Sequence, residues 1–142
     1  MESAFWDTSA LVPLCVGQGA TASASQLAAQ HDIVVWWATP VEARSAFSRL
    51  ARMQSLTASE FIQAQTRLDR LRHAWREIQP TDALRTIAEA LLDRFQLRAA
   101  DSLQLAAACT WAMNRPRDRA FVAADKQLLE AARQTGFRAI EL

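Results

Sequence analysis

Four acidic residues stand where a chain could use them together: Asp7, Glu42, Asp101 and Asp125. Asp7 ends the short apolar-rich stretch 3–6, and a charge at the end of a buried strand needs a partner. Asp101 is the only charged residue of 99–113, the most apolar segment of the chain and a costly place for a charge without a task. Asp125 comes just after the apolar run Ala120-Phe121-Val122-Ala123, and Glu42 closes Thr39-Pro40-Val41-Glu42. Taken singly, each acid has a plain use. Glu42 completes a capping-box pattern, and the three aspartates sit favourably at helix N-termini. Four caps, however, need not face one another. Carboxylates that do so repel and raise one another's pKa. A divalent cation removes that penalty, and Mg²⁺ prefers oxygen ligands and keeps several waters, so a few carboxylates suffice. Such a cation neutralises a phosphodiester, lowers the pKa of an attacking water and stabilises the leaving oxygen. The chemistry suggested is metal-assisted phosphodiester hydrolysis, with one ion or two.

For the acids to meet, the elements that carry them must end on one edge. Residues 3–6 read as a strand and 8–16 as a helix, with breaks at Gly17 and Gly19 and a second helix over 20–30. The continuous apolar run Ile33-Val34-Val35-Trp36-Trp37 predicts a strand buried on both faces. Thr39 and Glu42 predict a capping box, with Pro40 at the first helical position and Phe47, Leu50 and Met53 on the apolar face. A helix starting at Thr57 or Ser59 carries the stripe Phe61, Ala64, Leu68, Leu71, Trp75, Ile78, which predicts core packing and, secondarily, a contribution to dimerisation. After Pro80, the residues Leu84, Ile87, Ala88, Leu91, Leu92 and Phe95 mark another amphipathic helix. The helix 99–113 follows and Pro116 ends that region. Ala120–Ala123 form a third strand, 126–135 a helix stopped by Gly136, and 137–142 a last strand. Strands alternating with helices predict an α/β fold with a parallel sheet covered on both faces and a long helical middle, 39–113, between the second and third strands. In such sheets ligands bind beyond the carboxyl ends of the strands, where Asp7 and Asp125 fall.

The bulk properties agree with one compact domain spanning 1–142. The chain has 142 residues, 51% of them hydrophobic, and a net charge of +1, so any affinity for nucleic acid must come from local charge. Lys126 is the only lysine and the other fifteen basic residues are arginines; arginine suits phosphate, although coding bias is the simpler reading. Cys15 and Cys109 lie far apart in apolar stretches and read as buried thiols, neither a disulfide nor a zinc site. No signal-peptide pattern opens the chain and no uncharged segment reaches membrane-spanning length, so a soluble cytoplasmic protein is expected.

These motifs, in order, carry a resemblance. Asp7-Thr8-Ser9-Ala10-Leu11, Glu42 within Thr-Pro-Val-Glu, Arg98-Ala99-Ala100-Asp101-Ser102-Leu103-Gln104-Leu105-Ala106, and Phe121-Val122-Ala123-Ala124-Asp125-Lys126-Gln127-Leu128 together span essentially the whole chain. In them the chain resembles PIN-domain nucleases, specifically the VapC-like toxins of bacterial toxin–antitoxin modules. The resemblance implies an αβα three-layer sandwich around a parallel sheet, usually dimeric, and a Mg²⁺- or Mn²⁺-dependent endoribonuclease acting on RNA. It also implies a cognate antitoxin that blocks the site. By position, Asp7, Glu42, Asp101 and Asp125 match the acidic quartet, with Asp7, Asp101 and Asp125 as metal ligands, and Ser9 matches a supporting hydroxyl. The sequence departs from the pattern at Ala123, where a hydroxyl often stands two residues before the last Asp, and this implies a weaker or indirect contribution from Asp125.

Other residues suggest ways to hold a substrate. Arg98, three residues before Asp101, is either a local ion pair or a phosphate clamp. Arg44, Arg49 and Arg52 follow Glu42, and Arg67, Arg70, Arg72 and Arg76 crowd the next helix; charge runs of this kind usually face solvent, though some of these residues could line a groove for RNA. Trp36, Trp37 and Trp75 could stack on bases, but in apolar stretches they read first as core. His31 and His73 are isolated and receive no role. Two other classes remain open: a non-catalytic PIN-like module that binds RNA or protein, and Asp-based phosphoryl transfer, against which Asp7-Thr8-Ser9 lacks the second Asp of a DxD motif.

Overall fold

A computed structural model of the chain describes residues 1–17 and 22–142. Its elements in chain order are β1 (Glu2–Trp6), α1 (Thr8–Val16), α2 (Ala22–Gln30), β2 (His31–Trp36), α3 (Thr39–Arg52), α4 (Ala58–Ala74), β3 (Arg76–Ile78), α5 (Asp82–Arg94), α6 (Ala99–Trp111), β4 (Ala120–Ala123), α7 (Lys126–Thr135) and β5 (Arg138–Glu141). Among the described residues the strands form one five-stranded sheet in the order β3-β2-β1-β4-β5, parallel throughout. The expected break at Gly19 and the start of the second helix at residue 20 lie outside the described residues.

Alternation along the strands builds the three layers. Phe5, Val34, Trp36, Phe121 and Ala123 turn to one face, where Leu84, Ala88 and Leu91 of α5, much of α6 and Leu128, Leu129 and Ala132 of α7 close over them. Ala4, Trp6, Ile33, Val35, Ala120 and Val122 turn to the other, under Ala10 and Leu11 of α1 and Leu27 of α2. A third cluster, with Cys15, Phe47 and Leu68 at its heart, locks α1, α3 and α4 together. Because both faces are covered, the three inner strands β2, β1 and β4 carry nearly unbroken apolar runs, whereas the edge strands β3 and β5 do not.

Two expectations need correction. The stripe on the fourth helix does not run to Ile78: α4 ends at Ala74, Trp75 adopts an extended backbone (φ −85°, ψ 163°), and Arg76–Ile78 form β3 beside β2. The long helical middle is therefore split by an edge strand, and the sheet has five strands rather than four. Trp75 still packs with Leu71, and its indole donates to Glu77 at 3.0 Å, so the apolar spacing continued while the backbone did not. The capping box expected at Thr39 and Glu42 is absent. Ala38 is the N-cap and makes no side-chain bond, Thr39 is already helical and buried, and Pro40 is the second helical residue. The reciprocal capping box stands one helix later, between Thr57 and Glu60.

Smaller shifts concern ends. β2 begins at His31 and leaves out Trp37, which is 50% exposed. The helix expected over 99–113 stops at Trp111, before Met113 and Asn114 take left-handed backbone. α1 ends on Gly17 at φ 70° and α7 on Gly136 at φ 117°, where a side chain would be strained. Among the described residues no helix is long and apolar enough to cross a membrane.

Candidate active site

Successive strands β1, β2 and β3 step outward in one direction, and β4 then returns to the opposite side of β1. The chain reverses its winding between β1 and β4, and the crevice beyond their carboxyl ends is where this architecture binds ligands. Asp7 leaves β1 there, its N–H held by the Val122 carbonyl of β4 at 2.9 Å. Asp125 leaves β4 on the other side of the crevice. A cavity of about 620 Å³ opens at this point, lined by Asp7, Glu42, Asp101 and Asp125 together with residues of α1 and α3 and Gln104 of α6. All four acids named from sequence share it.

Asp7 is the most constrained of the four, with 5% of its surface exposed. Its Oδ2 accepts from the Ser9 backbone N–H and the Ser9 hydroxyl, and among the described residues nothing donates to Oδ1. The Ser9 hydroxyl also accepts from the Ala124 N–H at 2.9 Å, tying α1 to the end of β4. Burial pushes the Asp7 carboxyl from its ordinary 3.8 to about 6; the Ser9 bonds oppose the rise and the charges of Glu42 and Asp101 add to it. Burial also raises Asp101, with further upward pressure from Asp125 and Glu42, while Arg98 pulls it down through its charge and its backbone. Asp125 caps α7, its Oδ1 accepting from the Leu128 N–H at 3.0 Å. Ala123, which lacks a hydroxyl, is fully buried in β4, and the Ser9 hydroxyl supports this side of the crevice instead.

Glu42 is held by residues that the sequence reading did not single out for any role. Its Oε1 accepts from the Thr8 hydroxyl at 2.6 Å and from the Gln104 amide at 2.7 Å, and the same amide donates to the Thr8 hydroxyl oxygen at 3.0 Å. A third oxygen, Thr39 Oγ1, lies at 3.5 Å from that amide. Gln104 is 1% exposed, and its buried Oε1 has no partner among the described residues, at a cost of about 1–3 kcal/mol. Turning the amide over would set that oxygen against the Glu42 carboxylate, so the acceptors around Nε2 fix its orientation. The signal lay in the sequence: Gln104 is polar, interrupts an apolar helix and falls one turn after Asp101, on the same face.

The other sequence candidates lie elsewhere. Arg98 precedes α6, exposed and off the cavity wall, close enough to act on the Asp101 charge. Trp36, Trp37 and Trp75 do not line the cavity, whereas Arg49 of α3 does. Oxygen-only donors facing one cavity fit a hard divalent cation, and burial, with the charges of neighbouring acids adding to it, already raises two of the carboxyls. Among the described residues no three acid, histidine or cysteine side chains stand close enough, as they lie, to enclose an ion. The acids share a cavity and are not a finished cage.

No protein-family model matches the chain, and comparison with curated proteins finds no match. Solved structures do share its fold. The crystal structure of PAE2754 from Pyrobaculum aerophilum superposes with a TM-score of 0.67 at 18% identity, over 99% of this chain and 89% of that one. A toxin–antitoxin complex from Klebsiella pneumoniae contains a chain that matches with a TM-score of 0.59, also at 18% identity, over 88% of this chain and 89% of its own. The three-layer α/β architecture with its central parallel sheet is therefore shared with known proteins.

Proposed function

We propose that this chain is a PIN-domain endoribonuclease of the VapC-like type, dependent on Mg²⁺ or Mn²⁺ and acting as the toxin of a toxin–antitoxin pair. The observation that carries the reading is the meeting of Asp7, Glu42, Asp101 and Asp125 on one cavity at the switch point of the sheet. The fold shared with a chain of a toxin–antitoxin complex supports the toxin role and an antitoxin partner. Exposed Met53, after α3, and Ile62, on α4, lie off the cavity and support association of two copies.

In this reading Asp7, Asp101 and Asp125 hold the cation, which when bound neutralises the phosphate and acidifies a water. Ser9 keeps Asp7 aimed by occupying Oδ2 and leaving Oδ1 to the cavity. Thr8 and Gln104 pin Oε1 of Glu42, so its other oxygen faces the reaction as the proton acceptor for the attacking water. A bound cation would offset the repulsion between the Asp101 and Asp125 charges.

The test is cleavage of single-stranded RNA by purified protein in Mg²⁺ or Mn²⁺. Cleavage should stop with EDTA and with Asp101→Asn, while the variant keeps the native circular dichroism spectrum. Cleavage that survives both treatments would remove the reading. RNA or protein binding without cleavage under any metal would favour a non-catalytic module on the same fold.

A further inference from the structure

The cavity is acidic at the sheet end, and an acidic cavity repels a polyanion unless something draws it in. Among the described lining residues Arg49 is the one cation. It falls seven residues after Glu42, so α3 returns it to the same face two turns on, with Ser45 and Ala46 between, roughly 10 Å along the axis. Its guanidinium is exposed, and among the described residues it has no ion pair or hydrogen-bond partner. The neighbouring arginines differ: Arg44 lies off the cavity, and Arg52 lines a separate hollow with Leu56 and Phe61. The opposite lip is aliphatic, with Val12 and Pro13 of α1.

That spacing decides which phosphate Arg49 meets. With its backbone about 10 Å along α3 from that of Glu42, and exposed, Arg49 is placed for a phosphate beyond the one being cut among the acids. We propose that Arg49 binds a neighbouring, non-scissile phosphate of an RNA strand laid along the α1–α3 groove, and so fixes the register in which the strand enters the acidic end. The planar fork of the guanidinium suits two phosphate oxygens at once. This inference rests on the ribonuclease reading above and adds to it a residue that holds substrate.

The experiment uses the full chain with a labelled single-stranded oligoribonucleotide. Binding is measured against salt in an Asp101→Asn background, and cleavage kinetics in the otherwise wild-type protein. Arg49→Gln should weaken binding about tenfold to a hundredfold, the worth of one charged hydrogen-bonded contact. It should also flatten the log–log salt slope by about 0.7, as for one lost phosphate on a single strand. In cleavage it should raise KM and leave kcat near its wild-type value. Arg49→Lys should keep the salt slope, and Arg44→Gln should change neither slope nor KM. Wild-type cleavage with Arg49→Gln indistinguishable from wild type, or with Arg44→Gln equally impaired, overturns the assignment and leaves the ribonuclease reading intact. A wild-type protein that neither binds nor cleaves RNA overturns both.

Discussion

Replacing Asp7 with Asn removes one charge from the most buried of the four acids while keeping an oxygen for the Ser9 donors. Its effect on stability follows from the folded-state pKa. An unfolded Asp titrates near 3.8, whereas burial holds Asp7 at about 6 in the folded chain. The folded state therefore binds the proton more tightly. The stabilisation from that proton is complete below about pH 4 and is lost as pH rises through 6. At about 1.4 kcal/mol per pH unit, the gap corresponds to an upper limit of ~3 kcal/mol. The neutral Asn carries no such dependence. In urea denaturation from pH 4 to 8, Asp7→Asn should match wild type near pH 4 and exceed it by up to ~3 kcal/mol at pH 8. Titrations common to both proteins cancel in the difference. Adding Mn²⁺ at pH 8 should narrow the gap, stabilising wild type by about 2.7 kcal/mol at a hundredfold excess over its Kd and the weaker-binding variant by less. A difference that is flat with pH, or an Asn variant that loses stability against wild type as pH rises, would refute the electrostatic account of the crevice.

Three further outcomes follow from the geometry. Gln104→Leu strips Thr8 and Glu42 of their amide donor; it should cost about 1–3 kcal/mol in denaturant titration and lower RNA cleavage at least about tenfold, with Gln104→Asn no substitute because the shorter side chain falls short. Thr57→Ala breaks the capping box of α4 and should cost about 1 kcal/mol without changing cleavage, since α4 does not line the cavity. Burial raises the thiols of Cys15 and Cys109 to about 12 and 11, so native protein at pH 8 should resist iodoacetamide and label only after denaturation; rapid native labelling of either would contradict the packing.

The parts that were legible in the sequence are those where one physical cause dominates. A charge ending an apolar run located Asp7, and an acid in an otherwise apolar helix located Asp101. Glycine at a left-handed position marked the ends of α1 and α7. The misread parts are those where two causes give the same pattern. Leu71, Trp75 and Ile78 keep helical spacing whether the backbone coils or straightens, so β3 was hidden inside a helix stripe. Thr39 and Glu42 have capping-box spacing, but Thr39 is buried against Gln104 and Glu42 faces Thr8, contacts between segments that local spacing does not encode. Gln104 differs: a lone amide one turn after Asp101 in an apolar helix marked the position, and only the fold shows that Thr8 and Glu42 are its partners. Arg49 was one of several arginines until the packing of α1 against α3 showed which of them faces the groove.

The central proposal is a cation site held by Asp7, Asp101 and Asp125, with Glu42 beside it as the proton acceptor. Mn²⁺ binding measured by electron paramagnetic resonance tests it without knowledge of the RNA. Wild type should bind Mn²⁺ at pH 8, and Asp7→Asn and Asp101→Asn should each weaken it at least about tenfold, the size of one lost charged ligand. Binding should fade as pH drops through 6, where Asp7 takes up its proton. Mn²⁺ binding that neither substitution alters, or no binding at pH 8 by a folded wild-type chain, would contradict the account.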